Sequence, residues 1–167
     1  MSDATPSEAE LLKQIDACPT TGPGWNDVLA CVLQHFGADS GTIHFLGADG
    51  LLHLTAASRG IPQFVLDTVR TVPVGKGMAG LAVERNAPVE ACNIQTDASG
   101  DVRPGARATG LQGSIVVPIV RDGHAVGALG VANQRERTFT VGETDLLMRI
   151  GARLGEREKE EGRREKA

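Results

Sequence analysis

Two pairs of β-rich segments, each joined at an Asp-Gly dipeptide, constrain the fold of this chain more than any other feature. SGTIHFLG and LLHLTAAS, at residues 40–47 and 51–58, are connected through Asp49-Gly50, and SIVVPIV and AVGALGVAN, at 114–120 and 125–133, are connected at Asp122-Gly123. Asp-Gly adopts the positive φ angles of a tight hairpin turn. Because a hairpin pairs its strands antiparallel, these segments predict a largely antiparallel sheet.

Helical patterns are predicted at both ends of the chain. Ser7 with Glu10, and Thr140 with Glu143, have the spacing of capping boxes, so a helix is expected to begin at each pair. Between them, apolar residues recur at helical spacing from 25 to 36, which predicts a second amphipathic helix. The residues after 154 have no apolar stripe and predict a solvated helix extension or a frayed end.

The stretch between the hairpins predicts two short helices, one after Pro62 and one beginning near Gly77, and then a strand at APVEAC, residues 87–92. The chain order is therefore helix, helix, strand, strand, helix, helix, strand, long loop, strand, strand, helix. This order predicts an α+β fold, with helices collected on one or both faces of the sheet.

Composition excludes several classes of protein. The 167 residues suffice for one domain, and a net charge of -4 gives no reason to expect nucleic acid or an acidic membrane as a partner. No apolar run approaches the roughly 18 residues needed to span a bilayer, so no membrane association is expected. Three cysteines without metal-ligand spacing, and an N-terminus without the features of a signal peptide, predict a cytoplasmic protein with no metal site.

GKGMAG, residues 75–80, matches the letters of the dinucleotide fingerprint GxGxxG. That fingerprint requires a preceding strand and a βαβ unit, whereas a predicted helix and Pro73 precede it here. Gly77 also stands directly after Gly75-Lys76, where the phosphate loop needs Ser or Thr. Two interpretations remain: an anion held at the first amides of a helix, or a tight turn that allows close helix packing.

Three segments together resemble the GAF domain, a small-ligand and regulatory fold: VPVGKGMAGLAVERNAPVEACNI, GSIVVPIVRDGHAVGALGVAN and RTFTVGETDLLMRIGARL. They occur in the order and with the spacing of that family, from about Trp25 to Leu154. The resemblance implies a central antiparallel sheet of five or six strands, with the terminal helices on one face. A ligand pocket with short helices and a lid loop is implied on the other face.

The residues argue against three ligands found in this family. Cyclic-nucleotide-binding members resemble one another in an Asn-Lys…Phe-x-x-x-Asp-Glu signature, which Asn133, Phe139 and Glu143 fit. However, Gln134 replaces the lysine and Thr144 follows Glu143. Bilin-binding members carry a chromophore cysteine commonly followed by histidine, whereas Cys92 is followed by Asn93 and the chain has no Tyr. Haem needs an axial histidine, and the predicted strand positions of the candidate histidines, His44 and His53, favour a hydrogen-bonded or outward side chain.

The family also includes reductases of free methionine sulfoxide, which need a nucleophilic and a resolving thiol close to the pocket. Only Cys92 lies in the half of this chain that is expected to form the pocket. Cys18 and Cys31 lie on the two N-terminal helices, away from the position of the family's resolving thiol. The sequence therefore predicts a protein that is not an enzyme and keeps the reductase as an alternative.

The loop of residues 92–113 corresponds to the segment that covers the pocket in the GAF fold. Arg103 and Arg107 flank Pro104-Gly105 in it, and arginines in a closed loop suit bidentate binding of a carboxylate, phosphate or other oxyanion. Alternatively, both arginines bridge to Asp97 and Asp101 and only order the loop. A disordered insertion is a third interpretation that the well-placed turn residues disfavour.

We predict an N-terminal helix and linker at 1–24, a GAF domain at 25–154 and a charged tail at 155–167. The expected function is that of a sensor that binds a small anionic molecule of unknown identity and signals to a separate protein, with a homodimer formed through the terminal helices. The alternative from a different class is a ligand-free dimerisation module. The predicted pocket or lid residues are Gly77, Met78, Gly80, Cys92, Asn93, Arg103, Arg107, Thr109 and Ser114.

Overall fold

A computed structural model describes residues 7–102, 104–107 and 109–166, and for residues 104, 105 and 159–166 it describes only the backbone. Six helices and six strands follow one another in these ranges. In chain order they are α1 (Glu8–Ala17), α2 (Gly24–Phe36), β1 (Ser40–Leu46), β2 (Leu51–Ala57), α3 (Gln63–Val69), β3 (Thr71–Pro73), α4 (Gly77–Arg85), β4 (Val89–Ala91), α5 (Pro104–Arg107), β5 (Ser114–Arg121), β6 (His124–Ala132) and α6 (Val141–Lys166).

The helix ends follow the local signals in the sequence. The Ser7 hydroxyl accepts the Glu10 amide at 3.2 Å. At the start of α6, the Glu143 amide donates to Thr140 Oγ1 and the Thr140 amide donates to the Glu143 carboxylate, both at 3.0 Å. Gly37 ends α2 in the left-handed conformation with φ of 60°. These contacts satisfy backbone groups that a helix terminus leaves without partners.

The six strands form one sheet in the order β3-β2-β1-β6-β5-β4, and every neighbouring pair is antiparallel. Both predicted hairpins are present: Asp122 and Gly123 have φ of 53° and 80°, and Gly50 has φ of 80°. The α+β fold is confirmed. The strand missing from the sequence prediction is β3, which has three residues and is held at the sheet edge by pairing with β2.

One face of the sheet is covered by α1, α2 and α6, which share a hydrophobic core with β1, β5 and β6. The most deeply buried side chains on this face include Leu29, Ile119 and Leu147. α6 lies very close to β5 because Gly151 faces the Pro118 carbonyl, and a Cβ atom there would collide with it. None of the described helices is both long and apolar enough to cross a bilayer.

The opposite face carries α3, α4 and the loop of residues 92–113. A second cluster joins α4 to the sheet through Ala82, Val83, Val116 and Ala128. This layer is thinner than the three-helix layer and does not fill the space above the sheet. The unfilled space is a cavity.

Candidate functional site

The cavity has a volume of about 450 Å³ and lies between β1, β5 and β6 on one side and α3, the start of α4 and the 92–113 loop on the other. Alternation along β1 turns Ile43 to the helix layer and places Thr42 and His44 on the opposite, cavity face. Val116 and Val131 add apolar lining from the central strands. A volume of this size suits a small ligand.

The three glycines of GKGMAG shape the entrance to α4. Gly75 and Gly77 have φ of 88° and 64°, a region that side chains disfavour. A Cβ atom on Gly80 would collide with the carbonyl oxygen of Pro73. The turn and close-packing interpretation therefore accounts for all three glycines. It does not exclude the anion interpretation, because Gly77, Met78 and Ala79 at the helix start all line the cavity.

Positive charge gathers at the same place. The first amides of a helix have no acceptor within it, and α4 has no side-chain cap at its N-terminus. Arg59 and Lys76 also line the cavity, and neither is in an ion pair with any residue that the structure describes. Asp39 is the one carboxylate among the described lining residues, and it accepts the Gln134 amide at 2.7 Å.

His44 is a buried, neutral part of the cavity wall, with 3% of its surface exposed. Its Nε2 lies 2.8 Å from the Val69 carbonyl oxygen, which can only accept, so Nε2 carries the proton. Burial lowers the pKa of His44 and outweighs the opposing effect of the Val69 carbonyl, while His53 lowers the pKa further. The buried Nδ1 atom has no hydrogen-bond partner among the described residues.

The 92–113 loop is ordered over the cavity by its few apolar side chains. Val102 is 7% exposed and packs with Ile94, and Leu111 packs against the same small cluster together with Met78 of α4. Gln95 Nε2 donates to the carbonyls of Arg107 and Leu111 at 3.1 and 2.8 Å. In its described residues the loop is therefore held in place over the cavity by apolar packing and hydrogen bonds.

The Arg107 side chain orders the loop by binding backbone carbonyl groups. Its guanidinium donates to the carbonyl oxygens of Ile94 and Asp97, at 3.4 and 2.9 Å. The carboxylate of Asp97 instead accepts Ser99, and Asp101 binds Arg85 at 3.0 Å and raises the pKa of Arg85. Within the described part of the loop, Arg107 thus orders the chain without an ion pair to either aspartate.

The predicted site residues divide into three groups. Those that line the cavity are Gly77, Met78, Thr109 and Ser114. Those that lie outside its described lining are Gly80, Cys92, Asn93 and Arg107; Cys92 is exposed, and Asn93 binds Glu136 at 2.8 Å. Arg103 lies outside the described residues. Ligand contact by any of the nine stays a prediction.

The residues that partly match the cyclic-nucleotide signature form a structural junction. Arg137 donates to Phe36 O and Asn133 Oδ1 at 2.7 and 2.8 Å, to Glu143 Oε2 at 2.5 Å, and lies 4.3 Å from the centre of the Phe139 ring. Asn133 also donates to the Gly37 carbonyl at 2.9 Å. These contacts join the end of α2, the end of β6 and the start of α6.

Sequence reasoning missed several cavity residues. Arg59 lies in the turn after β2, and Lys76 lies inside the GKGMAG motif, from which only Gly77, Met78 and Gly80 were predicted as pocket residues. Thr42 and His44 share one face of β1, and period-2 alternation could have grouped them. The α3 side of the cavity, which includes Val65 and Thr68, carries no sequence signal because its position depends on tertiary packing.

Comparison with solved structures agrees with this architecture. The chain is similar to the GAF domain of a phosphoenolpyruvate-protein phosphotransferase from Coxiella burnetii, at 19% identity over 96% of this chain and 97% of that one, with a TM-score of 0.77. The corresponding Acinetobacter domain matches at 18% identity over 90% and 89%, with a TM-score of 0.74. Free methionine-R-sulfoxide reductase from Neisseria meningitidis, solved with its substrate, matches at 20% identity over 94% and 91%, with a TM-score of 0.74.

No curated protein sequence matches the chain significantly. These three structures are each under 25% identical to the chain, so they support the fold and do not transfer an activity. The sequence model of the GAF domain matches residues 26–156, which is most of the chain. The protein therefore belongs to the GAF domain family, whose fold is in general that of a small-molecule-binding regulatory module.

Proposed function

We propose that this protein is a sensor module that binds one small anionic molecule in the 450 Å³ cavity. The observation that carries the proposal is the meeting of Arg59, Lys76 and the uncapped start of α4 at one cavity, without a described ion-pair partner for either cation. Unpaired cations and free helix amides favour a bound negative charge. The apolar β-strand residues beneath them favour a ligand with an uncharged part.

Hydroxyl groups complete the proposed binding surface. Thr42, Thr109 and Ser114 line the cavity and carry the hydroxyl groups. The Thr109 hydroxyl donates to the Ala106 carbonyl at 2.7 Å, and the Ser114 hydroxyl donates to the Val131 carbonyl at 3.3 Å. Thr109 Oγ1 also accepts the Leu111 amide at 3.1 Å and keeps one lone pair, whereas Ser114 Oγ accepts no hydrogen bond from the described residues. Both oxygens can therefore accept from a ligand donor, such as a hydroxyl, amide or ammonium group.

In this proposal the terminal helices pass occupancy to a separate signalling protein, and they also form a homodimer. α6 packs along β5, the strand whose Ser114 and Val116 line the cavity from the other face. α1 is joined to α6 by Arg153, which binds the Asp16 carboxylate at 2.7 Å. A shift of β5 on binding would therefore reach both terminal helices.

The proposal is tested by thermal unfolding at constant ionic strength against nitrate, nitrite, phosphate, simple carboxylates, amino acids and cyclic nucleotides. A ligand present at 100 times its Kd stabilises the folded state by about 2.7 kcal/mol, a rise of several degrees in melting temperature. If none of these compounds raises the melting temperature, the sensor function is wrong. The ligand-free dimerisation module is then favoured.

Variants locate any binding that is found. Arg59→Ala and Lys76→Ala should each weaken anion binding by about tenfold or more, because each removes a charge-assisted hydrogen bond. Lys13→Ala is the matched control: it removes an exposed cation on α1, in the helix layer on the opposite face. Equal loss of affinity in all three variants would indicate nonspecific charge attraction and would contradict binding in the cavity.

We propose a regulatory role without catalysis. Cys92 is exposed and is absent from the described cavity lining, while Cys18 and Cys31 pack against the core of the opposite face. This placement gives the cavity no thiol pair for sulfoxide reduction. Thiol-dependent consumption of free methionine sulfoxide by the wild type, abolished in Cys92→Ser, would overturn this part of the proposal.

A further inference from the structure

Residues 59–69, the α3 segment, form one wall of the cavity between the end of β2 and the start of β3. No hydrogen bond joins residues 59–68 to any described residue outside 59–70. The bonds in this stretch are local, such as that from the Thr68 hydroxyl to the Phe64 carbonyl at 2.8 Å. Hydrogen bonds therefore do not fasten the middle of this wall to the rest of the described fold.

Apolar packing also holds the α3 segment weakly. All of its residues are described, and Val65, at 7% exposure, is the one buried side chain among them. Val65 lines the cavity and belongs to none of the three hydrophobic clusters of the described residues. Phe64 beside it is 59% exposed. Parts of a protein with few buried apolar contacts open locally at a low cost in free energy.

The two ends of the segment are fastened more firmly. Before it, the Ser58 amide donates to the Gly41 carbonyl and the Ser58 hydroxyl accepts the Gly41 amide, both at 3.0 Å. At the other end, the Val69 carbonyl accepts His44 Nε2 at 2.8 Å, and the following carbonyl accepts an amide of β2 at 2.9 Å. Val69 also packs against the cluster that joins α4 to the sheet. The segment is thus fixed at both ends and loosely held between them.

The 92–113 loop, on the other side of the cavity, is held along its described length. The amides of Ile94, Gln112 and Gly113 donate backbone hydrogen bonds of 2.7, 2.8 and 2.9 Å, the last two to the residues that follow β6. The Asp101 carboxylate binds Arg85 of α4 at 3.0 Å. These contacts tie the loop to two other parts of the fold, whereas residues 59–68 have no such tie to the described chain.

We propose that the α3 segment is the moving wall of the cavity and that the 92–113 loop is its fixed wall. The segment swings about its anchors at Ser58 and Val69, and the cavity widens when α3 moves away from the sheet. Gly60 adjoins the first anchor, and its φ of 88° is a conformation that glycine adopts readily. Arg59 follows Ser58 directly, so an anion bound to it would restrain this hinge; that consequence rests on the proposed function.

Thiol labelling at two matched positions tests the inference. Val65 belongs to the α3 segment and Val102 to the loop, and each is 7% exposed. Val65→Cys and Val102→Cys are made in the full chain that carries Cys92→Ser, so the tryptic peptide with either new cysteine has no native thiol. Each rate of reaction with iodoacetamide is divided by the rate for the same chain unfolded in urea. Val65→Cys should react at least about tenfold faster than Val102→Cys.

Hydrogen exchange of the unmodified chain provides a second measurement, which decides if a cysteine variant fails to fold. The Val65 and Leu66 amides donate to the Pro62 carbonyl, and the Ile94 and Gln112 amides are also hydrogen-bonded. Amides of both walls therefore exchange only when their wall opens. The Val65 and Leu66 amides should be at least about tenfold less protected than the two loop amides.

Gln95→Ala is the control, because it removes the side chain that donates to two carbonyls of the loop. It should speed the labelling of Val102→Cys and leave that of Val65→Cys unchanged. The inference is overturned if Val102→Cys reacts as fast as Val65→Cys, if the loop amides are no better protected than those of α3, or if Gln95→Ala speeds both reactions equally. Neither measurement contains a ligand, so these results leave the proposed function standing, and a thermal-shift panel without a hit leaves the moving wall standing.

Discussion

Arg137 connects three parts of the fold, so its removal should have a large effect on stability. The side chain is 12% exposed, and it holds the α2 carboxyl end through Phe36 O, the end of β6 through Asn133, and the start of α6 through Glu143. Arg137→Met keeps an apolar stem near Phe139 and removes every hydrogen bond. The variant leaves a half-buried carboxylate and a backbone carbonyl without their donor.

Each hydrogen bond to a charged group contributes about 1.5–3 kcal/mol, and the three are not additive because they share one guanidinium. Removing one partner of a buried ion pair costs about 3–5 kcal/mol. Glu143 is 29% exposed, so solvent reduces this figure somewhat. We therefore expect Arg137→Met to lower the free energy of unfolding by about 3 kcal/mol, which corresponds to a fall of roughly 6–12 °C in melting temperature.

The loss should depend on pH. Burial acts to raise the pKa of Glu143, but hydrogen bonds from Thr140 and Arg137, together with the Arg137 charge, outweigh it and lower that pKa below 4.5. A lowered pKa in the folded state means stability that is present above the unfolded value and is lost as pH falls through the folded value. The difference between wild type and Arg137→Met should be full near pH 7 and shrink below about pH 4.5.

Urea denaturation of the wild type, Arg137→Met, Glu143→Gln and the double variant measures these quantities. Arg135→Met is the matched control, because Arg135 is exposed in the same segment and its side chain makes no hydrogen bond or ion pair with the described residues. It should change stability by less than about 0.5 kcal/mol. The reasoning is refuted if Arg137→Met is no less stable than Arg135→Met, or if its deficit does not change with pH.

Three further predictions concern other parts of the fold. Gly151→Ala should cost about 1–3 kcal/mol in urea denaturation because its Cβ would collide with a β5 carbonyl, whereas Gly142→Ala, whose nearest neighbour is 3.9 Å away, should be neutral or stabilising. The wild type should lose up to about 1.4 kcal/mol of stability per pH unit as pH falls below 6.5, because the unfolded state binds a proton before the buried His44 does. His44→Gln should abolish this loss, and denaturation midpoints at two pH values measure it. Arg107→Ala should speed amide exchange in the 94–97 segment that it holds, and unchanged exchange there would contradict its ordering role.

Much of the secondary structure was predictable because its signals are local. The Asp122-Gly123 turn and the Thr140–Glu143 capping box each need only residues that are neighbours in sequence, and both have the predicted conformation or contacts. β3 was not predictable in this way. Three residues of TVP carry no alternation, and they become a strand only because β2 offers an unpaired edge.

The candidate site shows the same division. Gly77, Met78, Thr109 and Ser114 were predicted from a motif and a loop, and they do line the cavity. Arg59 was not, because its place depends on where the turn after β2 lies relative to α4. The 92–113 loop combines predictable and unpredictable features. The sequence shows that Val102 and Leu111 are apolar, but their packing with Met78 of α4 is a tertiary contact that the sequence does not reveal.

By itself, the sequence determined the antiparallel hairpins and the main helix boundaries, because turn residues, caps and apolar periodicity act over a few residues. Its resemblance to the GAF domain in three segments indicated the fold family. Only the tertiary structure decided which charges share the cavity and that Arg107 holds loop carbonyls. These are encounters between segments that are distant along the chain. Their distances follow from how α1, α2 and α6 pack on one face of the sheet and α3 and α4 on the other.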